Sequence, residues 1–228
     1  METETQEERE ALKQVRTAHR ICAAYYQRIL PLIERATEEL DLKYESWRNW
    51  AFSFPSRRSS PFQKFEWDQL PMLNPRFTFT GSTGSEPSTG YLVTVLLVTD
   101  SLVTHETKHA QPQGPRGPDA AQVGTRGDSG ESRIDVFVFY PAEPIPEEEV
   151  ISILPNRTRG HPVHLLESGA VEKWVDERYR VAAASIPIEL LMDDSGPETL
   201  ANHIEETRGR ARQGGGWQHE GGDVNTAL

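Results

Sequence analysis

Two segments, Tyr91-Leu92-Val93-Thr94-Val95-Leu96-Leu97-Val98-Thr99 and Ile134-Asp135-Val136-Phe137-Val138-Phe139-Tyr140, decide the fold class. Both are β-branched or aromatic with little interruption, the composition of strands near the middle of a sheet. Between them, from about residue 110 to 132, the chain is almost entirely Gly, Pro, Gln, Ser and charged residues. That composition buries too little apolar surface to offset the entropy of ordering it. A parallel pair needs a crossover connection, usually a helix, and none is expected here. The two strands are therefore expected to pair antiparallel, joined by a disordered insertion over about 105–132.

On the N-terminal side, Leu12, Val15, Ala18, Cys22, Tyr25, Ile29, Ile33, Ala36 and Leu40 recur three or four apart, which predicts one long amphipathic helix over 11–42. Pro31 lies inside it and predicts a kink, because proline removes a backbone donor and crowds the preceding turn. From Tyr44 the period becomes two up to Pro55, with Tyr44, Ser46, Arg48, Trp50, Phe52 and Phe54 on one side of a strand and Glu45, Trp47, Asn49 and Ala51 on the other. A further strand is expected at Arg76–Thr80, a short edge strand at Val150–Leu154 and another strand at Arg178–Ile186. Pro187 is read as opening a short helix through Met192. Ser195, Pro197 and Glu198 then fit a capping box for a last helix to about Arg210. The expectation is an α+β domain over 11–210, an antiparallel sheet of five to six strands packed against a long N-terminal helix and a shorter C-terminal one. Residues 1–10 and 211–228 are read as flexible ends.

Composition narrows the function classes. The chain has 228 residues, a net charge of −11 and one Cys, so neither an internal disulfide nor a Cys-based zinc site is expected. No run approaches the ~18 apolar residues of a membrane helix, and the acidic start is unlike a signal peptide. A cytoplasmic location, a bacterial source and no membrane partner are the resulting expectations. There is no GxxxxGK[ST], GxGxxG between strand and helix, GxSxG, HExxH or CxxC. No cofactor is expected, and the reading leans away from an enzyme.

The interval Tyr44 to Phe79 carries the main functional clue. It holds ten of the chain's 19 aromatics and is locally +2, against −13 for the remainder. Trp, Phe and Arg are the residue types enriched at binding hot spots. Arg48, Arg57, Arg58, Phe62, Phe65, Glu66, Trp67 and Asp68 are the candidate binding residues, most of them in a Pro-bounded loop. The expected function is a non-catalytic protein-binding or regulatory role, inhibitor- or immunity-like, toward a protein partner of basic charge. Single-stranded nucleic acid ranks behind it, because Glu66 and Asp68 would oppose the phosphates. The other alternative is a metal-dependent nuclease or hydrolase using Asp100, Glu106 and Lys108. Against it, five residues hardly allow the chain to turn and pair, and Asp100 capping a turn is the simpler reading. The pairs His105/His109 and His161/His164 lack the fixed second shell a metal site needs.

Overall fold

The computed structural model describes residues 6–49, 74–83, 90–102, 130–143, 145, 164–174 and 178–213. Their elements run α1 (Gln6–Glu39), β1 (Lys43–Asn49), β2 (Pro75–Ser82), β3 (Gly90–Val98), β4 (Arg133–Pro141), α2 (His164–Ser168), β5 (Val171–Trp174) and β6 (Tyr179–Pro187). A 3-10 turn (Ile188–Leu191) and α3 (Gly196–Gln213) complete the order. The six strands form one sheet, β1-β2-β3-β4-β6-β5, in which every neighbouring pair is antiparallel. The α+β architecture with a long N-terminal and a shorter C-terminal helix is as the sequence predicts.

β3 explains why the sheet holds together. All nine of its residues are buried, with Tyr91, Val93, Val95 and Leu97 facing the helices and Leu92, Leu96 and Val98 facing the other side. A strand covered on both faces reads as a continuous apolar run, the pattern seen in the sequence. On the helix side, Ile29, Leu32, Ile33 and Ala36 of α1 and Leu200, Ala201 and Ile204 of α3 pack on Val136, Val138 and Ala182. On the far side, Leu165 of α2 and Ile145 pack with Phe137, Phe139, Tyr179 and Val181.

Several boundaries differ from the sequence reading, each for a local reason. α1 begins at Gln6, inside the segment expected to be flexible, and runs through Pro31 as one helix. Pro31 sits on the solvent side with Gln27, so water can reach the carbonyl that proline leaves without a donor. α1 ends in a Schellman motif: Leu42 N–H donates to Thr37 O and Asp41 N–H to Glu38 O, both at 3.0 Å, with Asp41 at φ 51°. The short helix expected after Pro187 is a 3-10 turn. The expected capping serine, Ser195, instead donates its hydroxyl to Asp193 Oδ1 at 2.7 Å. β5 and α2 were not anticipated, because Val-Glu-Lys-Trp is too short and too charged to stand out. The strand expected at Val150–Leu154 lies outside the described residues, as does most of the 105–132 insertion.

Two tyrosines of α1 tie the fold to pH. Burial holds Tyr25 in its neutral form and pushes its pKa up from 10.0 to about 12, and burial raises Tyr26 as well. The unfolded chain would ionise Tyr25 near 10 while the folded chain keeps the proton. Tyr25 thus contributes stability that is present below pH 10 and lost as pH rises toward about 12. The thermal midpoint should fall steeply across that window, and Tyr25→Phe should flatten the fall. An unchanged slope in the phenylalanine variant would remove Tyr25 from the account.

Candidate functional site

β1 is the edge of the sheet, bonded to β2 on one side and, among the described residues, to no strand on the other. Natural edges are guarded by charges and bulges, and β1 has both. Its register slips between Tyr44 and Ser46, so Glu45 is the bulged residue. Glu45 Oε1 accepts from Thr80 Oγ1 at 2.9 Å and lies 3.4 Å from Lys43 Nζ.

The bulge changes which side chains share a face. With strict alternation Tyr44 and Trp47 would stand on opposite faces; the inserted residue puts both on the helix side, opposite Phe79 and Phe77. The Tyr44 and Phe79 rings meet edge to face, with centroids 5.8 Å apart. Tyr44 is 52% exposed and Trp47 39%, two of the few large apolar side chains exposed among the described residues. On the other face Arg48 pairs with Arg76 of β2. Burial, and then the charge of Arg48, push the Arg76 guanidinium down from its ordinary value. Like charges directly opposite on neighbouring strands are unfavourable.

Of the candidate binding residues, the structure describes Arg48, exposed on β1. Arg57, Arg58, Phe62, Phe65, Glu66, Trp67 and Asp68 lie outside the described residues. Tyr44, Trp47 and Arg76 join Arg48 at the edge, and the bulge overturns the alternation expected from the sequence, which had set Tyr44 on the Arg48 side and Trp47 on the other. Nothing in a period-two count announces a bulge, so their placement had no usable signal.

The residues named for a hydrolase do not assemble among the described ones. Asp100 Oδ1 accepts the Leu102 N–H at 2.9 Å, the turn-capping role. Glu106 and Lys108 lie outside the described residues, as do His105, His109 and His161. His164 Nε2 meets Glu172 Oε1 at 2.7 Å as an exposed pair. Among the described residues no group of three or more His, Cys, Asp or Glu could hold a metal ion.

Two polar clusters that the sequence did not reveal are structural in geometry. Asp135, 2% exposed in β4, accepts from Ser185 Oγ at 2.5 Å and from Arg133 Nε at 2.9 Å. Tyr91 of β3 stands directly opposite Gly81 of β2, where a Cβ would stand 2.3 Å from the tyrosine Cζ. Its hydroxyl accepts from Arg208 Nη1 at 3.0 Å, and Arg208 also pairs with Glu205. A cleft of about 420 Å³ beside α3 is lined by His203, Glu206 and Arg210. Burial lowers the pKa of His203, and Arg210 is held by the Ala183 carbonyl at 2.9 Å. No helix among the described residues is long and apolar enough to cross a membrane.

The comparisons with known proteins give one match. A family model described only as PM0109 matches residues 5–213, most of the chain. No curated protein and no solved structure matches it.

Proposed function

We propose that this chain, which belongs to the PM0109 family, is a non-catalytic binding protein whose β1 edge takes an extended segment of a protein partner. The observation that carries the reading is the edge itself: a seven-residue strand with no strand on its outer side among the described residues, Tyr44 and Trp47 exposed on one face and Arg48 on the other. An added strand would gain main-chain hydrogen bonds from β1, and alternate side chains would meet the aromatics and the arginines.

The net charge of the chain argues for a basic partner, but the edge argues for an acidic one. Charges more than roughly 10 Å away are screened at cellular salt, so Arg48 and Arg76 govern what sits directly on them. The bound segment is therefore expected to carry Asp or Glu facing Arg48 and an apolar residue facing Trp47. A regulatory role of the inhibitor type follows from holding such a segment without transforming it.

The test is affinity capture with the tagged full-length chain from its own cells, beside Trp47→Ala, Arg48→Glu and the control Leu190→Ala. A stoichiometric partner lost in the first two and kept in the control is the expected result. Loss of an aromatic anchor should weaken binding about tenfold or more. A partner retained equally by all three variants would move the interface elsewhere on the molecule.

A further inference from the structure

The N-terminal half of α1 stands away from the domain. Every residue from Glu8 to Ala24 is exposed, roughly 25 Å of helix outside the core clusters of the described residues. Leu12 is 50% and Val15 52% exposed, and Cys22 is exposed about two turns beyond Val15. These three belong to a stripe alternating three and four apart: 12, 15, 19, 22, 26, 29, 33 and 36. Its later members Ile29, Ile33 and Ala36 form part of the core. One half of a single stripe is thus covered and the other half lies in water.

The charges along the helix say what fits. Glu7, Glu8 and Glu10, with Arg9 among them, make its first turns net acidic, Glu10 meeting Lys13 at 3.5 Å, and from Ala11 to Ile33 there are Lys13, Arg16, Arg20 and Arg28 and no acid. Two parallel copies in register would lay each cation against its own copy. Two antiparallel copies centred on Thr17 lay Glu7 to Glu10 alongside residues 24–27 of the partner, between the partner's Arg20 and the partner's Arg28. The same centre sets Leu12 against the partner's Cys22 and Val15 against the partner's His19, the packing of an antiparallel coiled coil. Acid tip meets basic shaft twice, related by a two-fold axis.

We infer that the exposed half of α1 pairs antiparallel with the same half of a second copy of this chain, centred on Thr17. The pairing leaves the β1 edge free, so the dimer would present two such edges. It does not depend on what β1 binds.

Sedimentation velocity on the full-length chain, from about 1 to about 100 µM, tests the association. The expected result is a dimer whose dissociation constant rises at least about tenfold in Val15→Glu. Far-UV circular dichroism of that variant should stay at the wild-type level, since Val15 is 52% exposed and outside the core clusters of the described residues. A wild-type chain that stays monomeric throughout, or a dimer untouched by Val15→Glu, would overturn the inference. The register is read by Leu12→Cys with mild oxidation and peptide mapping. Residues 12 and 22 of opposite copies should join. Two copies of residue 12 would lie roughly 15 Å apart along the axis, beyond disulfide reach. A 12-to-12 crosslink, sought in Leu12→Cys combined with Cys22→Ser, would establish parallel pairing and overturn the proposal.

Discussion

Replacing Gly196 with alanine should lower the unfolding free energy by about 3 kcal/mol or more, although alanine is the better helix former. Gly196 is the first residue of α3 and lies directly under the end of the 3-10 turn. A Cβ there would stand 2.1 Å from the Leu191 carbonyl oxygen, 2.9 Å from its carbon and 3.0 Å from Leu32 Cδ1. Backbone on one side and a buried leucine on the other leave no flexible group to yield. The turn must lift away, pulling fully buried Leu191 out of its contacts and straining the Gly196 N–H bond to Asp193 O. Overpacking a core usually costs about 1–3 kcal/mol, and a clash with main chain belongs at or above the top of that range.

The control is in the same helix. Gly209 has nothing within 4 Å of where its Cβ would be. Gly209→Ala should therefore stabilise by about 0.5–1 kcal/mol, through lower backbone entropy in the unfolded chain. Urea unfolding of the two variants should give midpoints on opposite sides of the wild type. Equal shifts would mean that the turn does not sit on Gly196 as described.

Asp135→Ala should cost about 3 kcal/mol, the low end of what breaking a buried ion pair does. The carboxylate is 2% exposed and serves two donors through one oxygen, Arg133 Nε and Ser185 Oγ. Removing it leaves the Arg133 guanidinium with the exposed Glu131 carboxylate at 3.8 Å. The low end applies because the Arg133 side chain keeps 28% of its surface in solvent and Ser185 is exposed, so water takes part of the load. Asp135→Asn keeps an acceptor oxygen and should cost less than alanine does. Denaturation of the two variants checks the order, and a loss below about 1 kcal/mol for alanine would mean the pair contributes little.

The strands at 91–99 and 134–140, the long N-terminal helix and the antiparallel class were legible in the sequence, because each rests on local chemistry. β-branched runs, a three-and-four apolar spacing and a connection too polar for a crossover helix are properties of short windows. The end of α1 was nearly as legible, since apolar spacing stops where the Schellman motif begins. The candidate site was legible as a composition, aromatics and arginines concentrated in 44–79, but period two grouped Tyr44 with Arg48 where the structure groups it with Trp47.

Tertiary structure decided the rest. The bulge at Glu45 brought Tyr44 and Trp47 to one face, because a register slip depends on the hydrogen bonds of the neighbouring strand and not on the strand's own period. β5 joined the far edge because β6 offered a free ladder to a segment with little strand propensity of its own. The apolar stripe of α1 runs unbroken in sequence from Leu12 to Leu40, yet burial starts near Tyr25, where the stripe reaches the rest of the fold. Periodicity states which face of a helix is apolar. Only the reach of the surrounding elements states how much of that face the chain itself covers.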